Sequence, residues 1–210
     1  MRKHAIGCVY AIGMCILLSL LTFNNICVTR PSVQFKHNQD DARPSRTCAS
    51  PKDCPSNSIA VYIRSGLANA IGPEICINGE LILSGTKINV GIGLNTVLLN
   101  GSSGGIISSG FYTGADKMLD FLRGIGPGQI LLVASYDDPS IILKEESREL
   151  LRGLGSSAAQ TLGTRDGWLF AGQKGAEGSA FEKHISSDEK TNTFDKWPAV
   201  IEISGCFKKT

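Results

Sequence analysis

Histidine is almost absent, with three in 210 residues, and only His37 and His184 lie beyond the N-terminal apolar run. His37 falls in a polar stretch, so a serine, cysteine or zinc mechanism built on an imidazole has His184 as its one candidate base. Excess charge is missing too: a formal net charge of +2 and a pI of about 8.1, with scattered basic residues, leave no nucleic-acid footprint. No paired C-x2-C and no neighbouring histidine accompany Cys48 or Cys54, which disfavours zinc. Internal repeats are lacking. The glycine clusters Gly91-x-Gly93, Gly124-x-Gly126-x-Gly128 and Gly153-x-Gly155 do not each follow a strand and open a helix, so they read as turns and helix stops rather than dinucleotide loops. The carboxylate pair Asp137-Asp138 occupies adjacent positions that point apart, and turn chemistry explains it better than shared acid–base work. These absences together predict a protein that is not an enzyme and needs neither cofactor nor metal.

What is present suits one exported domain. Apolar residues make up 42% of the chain and charged residues 19%, enough to bury one core. Arg2 and Lys3 precede an uncharged run from Ala5 to Phe23, the basic and apolar regions of a secretory signal. Residues 1–28 are therefore read as a signal peptide, with a signal anchor as the alternative because no small-x-small cleavage site follows. Residues 29–47 mix Pro31, Pro44 and polar side chains without periodicity and read as a flexible tether.

Of seven cysteines, Cys8, Cys15 and Cys27 lie in or beside the targeting segment, and Cys48, Cys54, Cys76 and Cys206 in the body. An even count behind an export signal reads as a disulfide framework, and four cysteines leave three connectivities open. Any partner of Cys206 closes a loop well over 100 residues long, a constraint of about 5 kcal/mol in the chain-entropy view.

Hydrophobic patterning then orders the elements. Ile59, Val61 and Ile63 alternate as a strand, and Asn78-Gly79 joins Ile75–Ile77 to Leu81–Leu83 as a hairpin. Asn100-Gly101 turns a second hairpin between Thr96–Leu99 and a return strand ending at Phe111 and Tyr112. Met118, Leu119, Phe121 and Leu122 form a helical stripe stopped by Gly124, and Ile130–Ala134 reads as a buried strand. A second helix spans about Lys144 to Leu154, with Glu145 and Glu146 at its start. Trp168–Ala171 and Val200–Ile203 are the last predicted strands, separated by a polar loop. The order predicts an α+β sandwich, sheet layers with helices on one face.

Two surface features stand out. Arg165-Asp166-Gly167-Trp168 sets a guanidinium, a carboxylate and an indole at a strand mouth, where polar ligands such as sugars could bind, although Trp168 is more simply core. Asn100-Gly101-Ser102 is an N-glycosylation acceptor at a predicted hairpin tip.

Several blocks recur in one order: Cys54-Pro55; Ser65-Gly66-x-Ala68-Asn69-x-Ile71-Gly72-Pro73 with Cys76; Asn89-Val90-Gly91 with Gly93 and Asn95; Tyr136-Asp137-Asp138; Arg165-Asp166-x-Trp168; Lys174-Gly175; Trp197-Pro198; Gly205-Cys206. With them the chain resembles the family-with-sequence-similarity-three, secreted and cytokine-like, over a globular domain at 48–207. The resemblance implies a compact, disulfide-stapled β-β-α sandwich of two antiparallel sheets with helices outside, and the pairings Cys48–Cys76 and Cys54–Cys206. It also implies extracellular signalling in metabolism or epithelial behaviour through an unidentified cell-surface receptor. Similar domains in a sugar-transferase stem bind glycans through an Arg in the Gly-x-Gly loop, the Asp matching Asp137 and the Arg matching Arg165. Here Ile92 replaces the first Arg and removes a charged fork for hydroxyls. Ala171 stands where a family member, the epithelial-mesenchymal-transition inducer, carries an unpaired cysteine, so this chain is expected to be a monomer.

Overall fold

The computed structural model describes Cys48 and residues 54–176, 178–194 and 197–210. The signal (1–28) and tether (29–47) assignments lie outside the described residues.

Among the described residues, nine strands form two antiparallel sheets. The first contains β1 (Ser58–Arg64), β2 (Glu74–Ile77), β3 (Glu80–Leu83) and β9 (Glu202–Lys208), in the order β3-β2-β1-β9. The second contains β4 (Gly93–Asn100), β5 (Ile106–Tyr112), β6 (Gln129–Tyr136), β7 (Gly167–Gln173) and β8 (Phe181–Ile185), in the order β5-β4-β6-β7-β8. Asn78 and Gly79 both have positive φ, 51° and 82°, as the tight turn between β2 and β3 requires.

The side-chain period of two sorts the second sheet into two apolar faces. Val97, Leu99, Ile130, Leu132, Ala134, Leu169 and Ala171 face the first sheet and pack on Ile59, Val61, Ile63, Ile75 and Phe207. The alternate residues Leu94, Leu98, Leu131, Val133, Trp168 and Phe170 share a second cluster with both helices. These are α1 (Ala115–Arg123), which contributes Met118 and Leu122, and α2 (Glu145–Gly153), which contributes Leu151. The central strands β6 and β7 are thus apolar on both faces, which explains their continuous hydrophobic runs.

Two readings of the sequence need correction. The stretch taken as a polar loop holds β8, whose Glu182, Lys183 and His184 are tolerated because an edge strand is only half covered. The last strand starts at Glu202, not Val200, and runs past Cys206 to Lys208. Among the described residues no helix is long and apolar enough to cross a membrane.

The disulfides among the described residues are Cys48–Cys76 and Cys54–Cys206. The second holds the segment before β1 to β9, where Cys206 pairs across from Ala60. Near the same end Lys209 N–H donates to Asn57 O (3.1 Å) and Thr210 N–H to Gly101 O (3.3 Å).

Candidate functional site

The opposite end is built of loops. Strand register puts Gly93 across from Tyr136, and Ala134 across from Leu169 on β7, which begins at Gly167. The start of β4, the end of β6 and the start of β7 therefore lie at one end of the sheet, which places Ile92, Asp137 and Arg165 at that end. The loop after β1 joins them: Gly66 N–H donates to Ser135 O (2.9 Å), and Tyr136 Oη donates to Asn69 O (2.8 Å).

Several of these loops carry left-handed backbone at non-glycine residues. Ala68 (φ 48°), Ile88 (57°), Asp137 (64°) and Arg165 (63°) all lie at this end, and among the described residues only Asn78 shares the conformation elsewhere. For an L-residue this geometry costs about 1–2 kcal/mol, and it persists only where its surroundings over-determine it.

The glycine spacing around Ile92 has a steric cause. A Cβ on Gly91 would fall 2.3 Å from the Phe111 ring, and one on Gly93 (φ 106°) would fall 2.3 Å from Tyr112 O. The buried Asn95 amide locks this turn, accepting from Gly91 N–H (2.9 Å) and donating to Gly91 O (2.8 Å). Ile92 is left between them, half-exposed.

The candidate polar residues diverge in role. Arg165 is exposed, and its guanidinium lies 4.6 Å from the centroid of the Trp197 ring. Trp197 is held by a bridge with Phe194, and its pairing with Arg165 is invisible to spacing because 32 residues separate them in the chain. Asp138 serves its own turn, accepting from Ser140 N–H (2.9 Å) and Ser140 Oγ (2.7 Å). Asp137 is partly exposed beside it.

Trp168, a candidate sugar contact in the sequence, is corrected by its burial. It is fully inaccessible, stacked on Phe170 at 5.9 Å, and its indole Nε1 donates to Glu182 Oε1 (2.9 Å). No ring face is left for a ligand. Glu182 also accepts from Ser157 N–H (2.8 Å), Ala158 N–H (3.1 Å) and the hydroxyls of Ser156 and Ser157. Burial alone would raise its pKa, but these donors outweigh it and hold the carboxyl below its ordinary range.

His184 pairs with Asp166, not with the Asp137-Asp138 turn: His184 Nε2 and Asp166 Oδ2 are 2.7 Å apart. Asp166 is buried and also accepts from Gly163 N–H and Ser187 N–H, both at 2.8 Å. Burial pushes its pKa up, the Ser187, Gly163 and His184 donors pull it down, and the net direction is down. These contacts join the turn before β7 to the segment after β8, so the pair fixes loops.

Asn100 is exposed at the stitched end, its Oδ1 accepting from Ser102 N–H (3.0 Å), Ser102 Oγ (2.7 Å) and Ser103 N–H (3.0 Å). Ala171 is fully buried between the sheets. Among the described residues no three His, Cys, Asp or Glu side chains gather where a metal could sit.

The described residues form a sandwich of two antiparallel sheets with two disulfides, and residues 92–176 match the family model described as Interleukin-like EMT inducer. Protein FAM3C of Rattus norvegicus is 40% identical over 168 residues, covering 78% of this chain and 74% of its own length. Protein FAM3A of Pongo abelii is 40% identical over 167 residues (77% and 73%), and human Protein FAM3C is 39% identical over 168 residues (78% and 74%). The chain belongs to the FAM3 family.

Proposed function

We propose that this chain is a secreted cytokine-like signalling protein, akin to the family's metabolic and epithelial regulators, that acts by binding a cell-surface partner rather than by turnover. The observation that carries this reading is the gathering of four left-handed, non-glycine residues in the loops of one end. Left-handed backbone concentrated at one end, with Asn78 of the β2–β3 turn the one other instance among the described non-glycine residues, is the pattern of a preorganised recognition site. Two disulfides suit an oxidising compartment. The chain is taken as a monomer, since the buried Ala171 offers no thiol for a covalent dimer.

Intact mass of protein released by cultured cells, before and after reduction and glycosidase treatment, tests the secretory half. A species in the medium that starts after the apolar segment and gains about four mass units on reduction, two per disulfide, supports it; retention of a full-length species in the membrane rejects it.

A second reading, a glycan-binding module, is favoured by the placement of Asp137 and Arg165 at the same end of the second sheet. It predicts weak affinity for O-mannose-type glycans that Arg165→Ala abolishes while the melting temperature holds. Affinity unchanged by that substitution rejects it.

A further inference from the structure

Ile88 is unfavourable twice over. It is 91% exposed, the most exposed large apolar side chain among the described residues, and it holds a left-handed backbone at φ 57° and ψ 36°. β-Branched residues are the least suited to that conformation, and the position, closing a short 3-10 turn at Gly85–Lys87, is one that glycine or asparagine ordinarily fills. Neither packing nor backbone preference accounts for isoleucine there.

The loop nevertheless holds Ile88 rigidly. Buried Ser84 accepts from Lys87 N–H through its hydroxyl (3.2 Å) and its carbonyl (3.1 Å), and Ile88 N–H donates to Gly85 O (3.1 Å). On the other side Asn89 Oδ1 accepts from Ser84 N–H and Asn89 Nδ2 donates to Ile82 O, both at 2.9 Å. Ile88 sits between two clamped neighbours, so displaying it to a partner costs little further ordering.

It is also not isolated. A Cβ on Gly72 would lie 2.8 Å from Val90 Cγ2, so the loop bearing Ile71 rests on the loop bearing Ile88, and Gly91 rests on the Phe111 ring. Ile71, Ile92 and Phe111 are each 45–48% exposed on these touching segments. We infer that Ile88 is the anchor of a protein-binding surface flanked by Ile71, Ile92 and Phe111, and that its partner is a cell-surface protein presenting an apolar pocket with an acidic rim. This deepens the proposed function and rests on it.

The convex loop demands a concave partner, and Lys87, the one charged residue from Ser84 to Gly93, supplies the cation that an acidic rim would meet. A lipid surface is disfavoured because membrane-seated loops gather several basic residues. A second copy is disfavoured because a cavity of about 610 Å³ floored by Phe181 and Phe207 is rimmed by Lys208 and Lys209, which would face Lys87 with like charge.

The test uses the full secreted protein, fluorescently labelled, on cultured epithelial cells and on vesicles of phosphatidylcholine with phosphatidylserine. Ile88→Asn should raise the melting temperature by about 2–4 °C, the shift for relieving strain of that order in a domain this size, and should weaken saturable cell binding at least ~10-fold, as loss of an interface anchor does. Ile88→Val, which keeps the backbone problem and removes one methylene, should weaken binding by about fourfold. Saturable cell binding left unchanged by Ile88→Asn overturns this inference but leaves the cell-surface reading standing. A lowered melting temperature in Ile88→Asn, or vesicle binding lost with Ile88, also overturns it. Absence of saturable binding by the unaltered protein overturns both.

Discussion

The two ends of the sandwich are made differently. At one, Cys54–Cys206 and the bonds from Lys209 and Thr210 stitch the chain's last residues to Asn57 and the β4–β5 turn. At the other, among the described residues, no disulfide closes the loops, four non-glycine residues hold left-handed backbone, and six of the eight large exposed apolar side chains emerge. The contrast separates tasks: cross-links secure the fold at one end, so the other can carry strain and apolar exposure that would lower stability in a chain lacking them.

The largest expected effect comes from breaking the stitched end. Replacing both Cys54 and Cys206 by serine opens a loop whose ends lie 152 residues apart and should cost roughly 5 kcal/mol. Denaturant unfolding measures this directly, and a loss below about 1 kcal/mol would mean that the sheets alone hold that end.

Next is the Glu182 carboxylate on the edge strand β8. Glu182→Ala removes the acceptor for Trp168 Nε1 and for the Ser156–Ala158 turn, leaving buried donors unpaired at a cost of about 2–3 kcal/mol. Its linkage to pH follows in sign. The folded pKa values of Glu182 and Asp166 are both depressed, so the unfolded chain binds more protons as acid is added. Their stabilisation is full above the unfolded values of about 4 and is lost as pH falls through the lower folded ones. Thermal melts should decline steeply below about pH 4, and Glu182→Gln should flatten part of that decline.

The smallest effect on stability belongs to the loop end. Arg165→Ala loses an exposed cation–π contact with Trp197 and should cost no more than about 1 kcal/mol. A larger loss would blur the contrast by giving the loop end a larger share in stability.

Much of this architecture could be read from sequence because local chemistry decided it. Asn78-Gly79 dictated a hairpin, the Met118–Leu122 stripe a helix, and Ile130–Ala134 a strand buried on both faces. β8 escaped because Phe181 and Ile185 bracket three polar residues on an edge strand. Of the site, Asp137 and Arg165 were legible as residues, yet their placement at one end depends on the β4-β6-β7 register, which patterning does not encode. The position of Trp197 under Arg165 and the backbone angle of Ile88 arise from tertiary contacts, with no local signature in the sequence.

The last hydrogen bond of the chain has a practical consequence. Because Thr210 is tied to Gly101, beside the acceptor Asn100, a tag appended there, or a sugar tree carried there, stands on the far side of the molecule from Ile88. Coupling the protein to a sensor chip through Thr210 would therefore leave the loop end pointing into the flow.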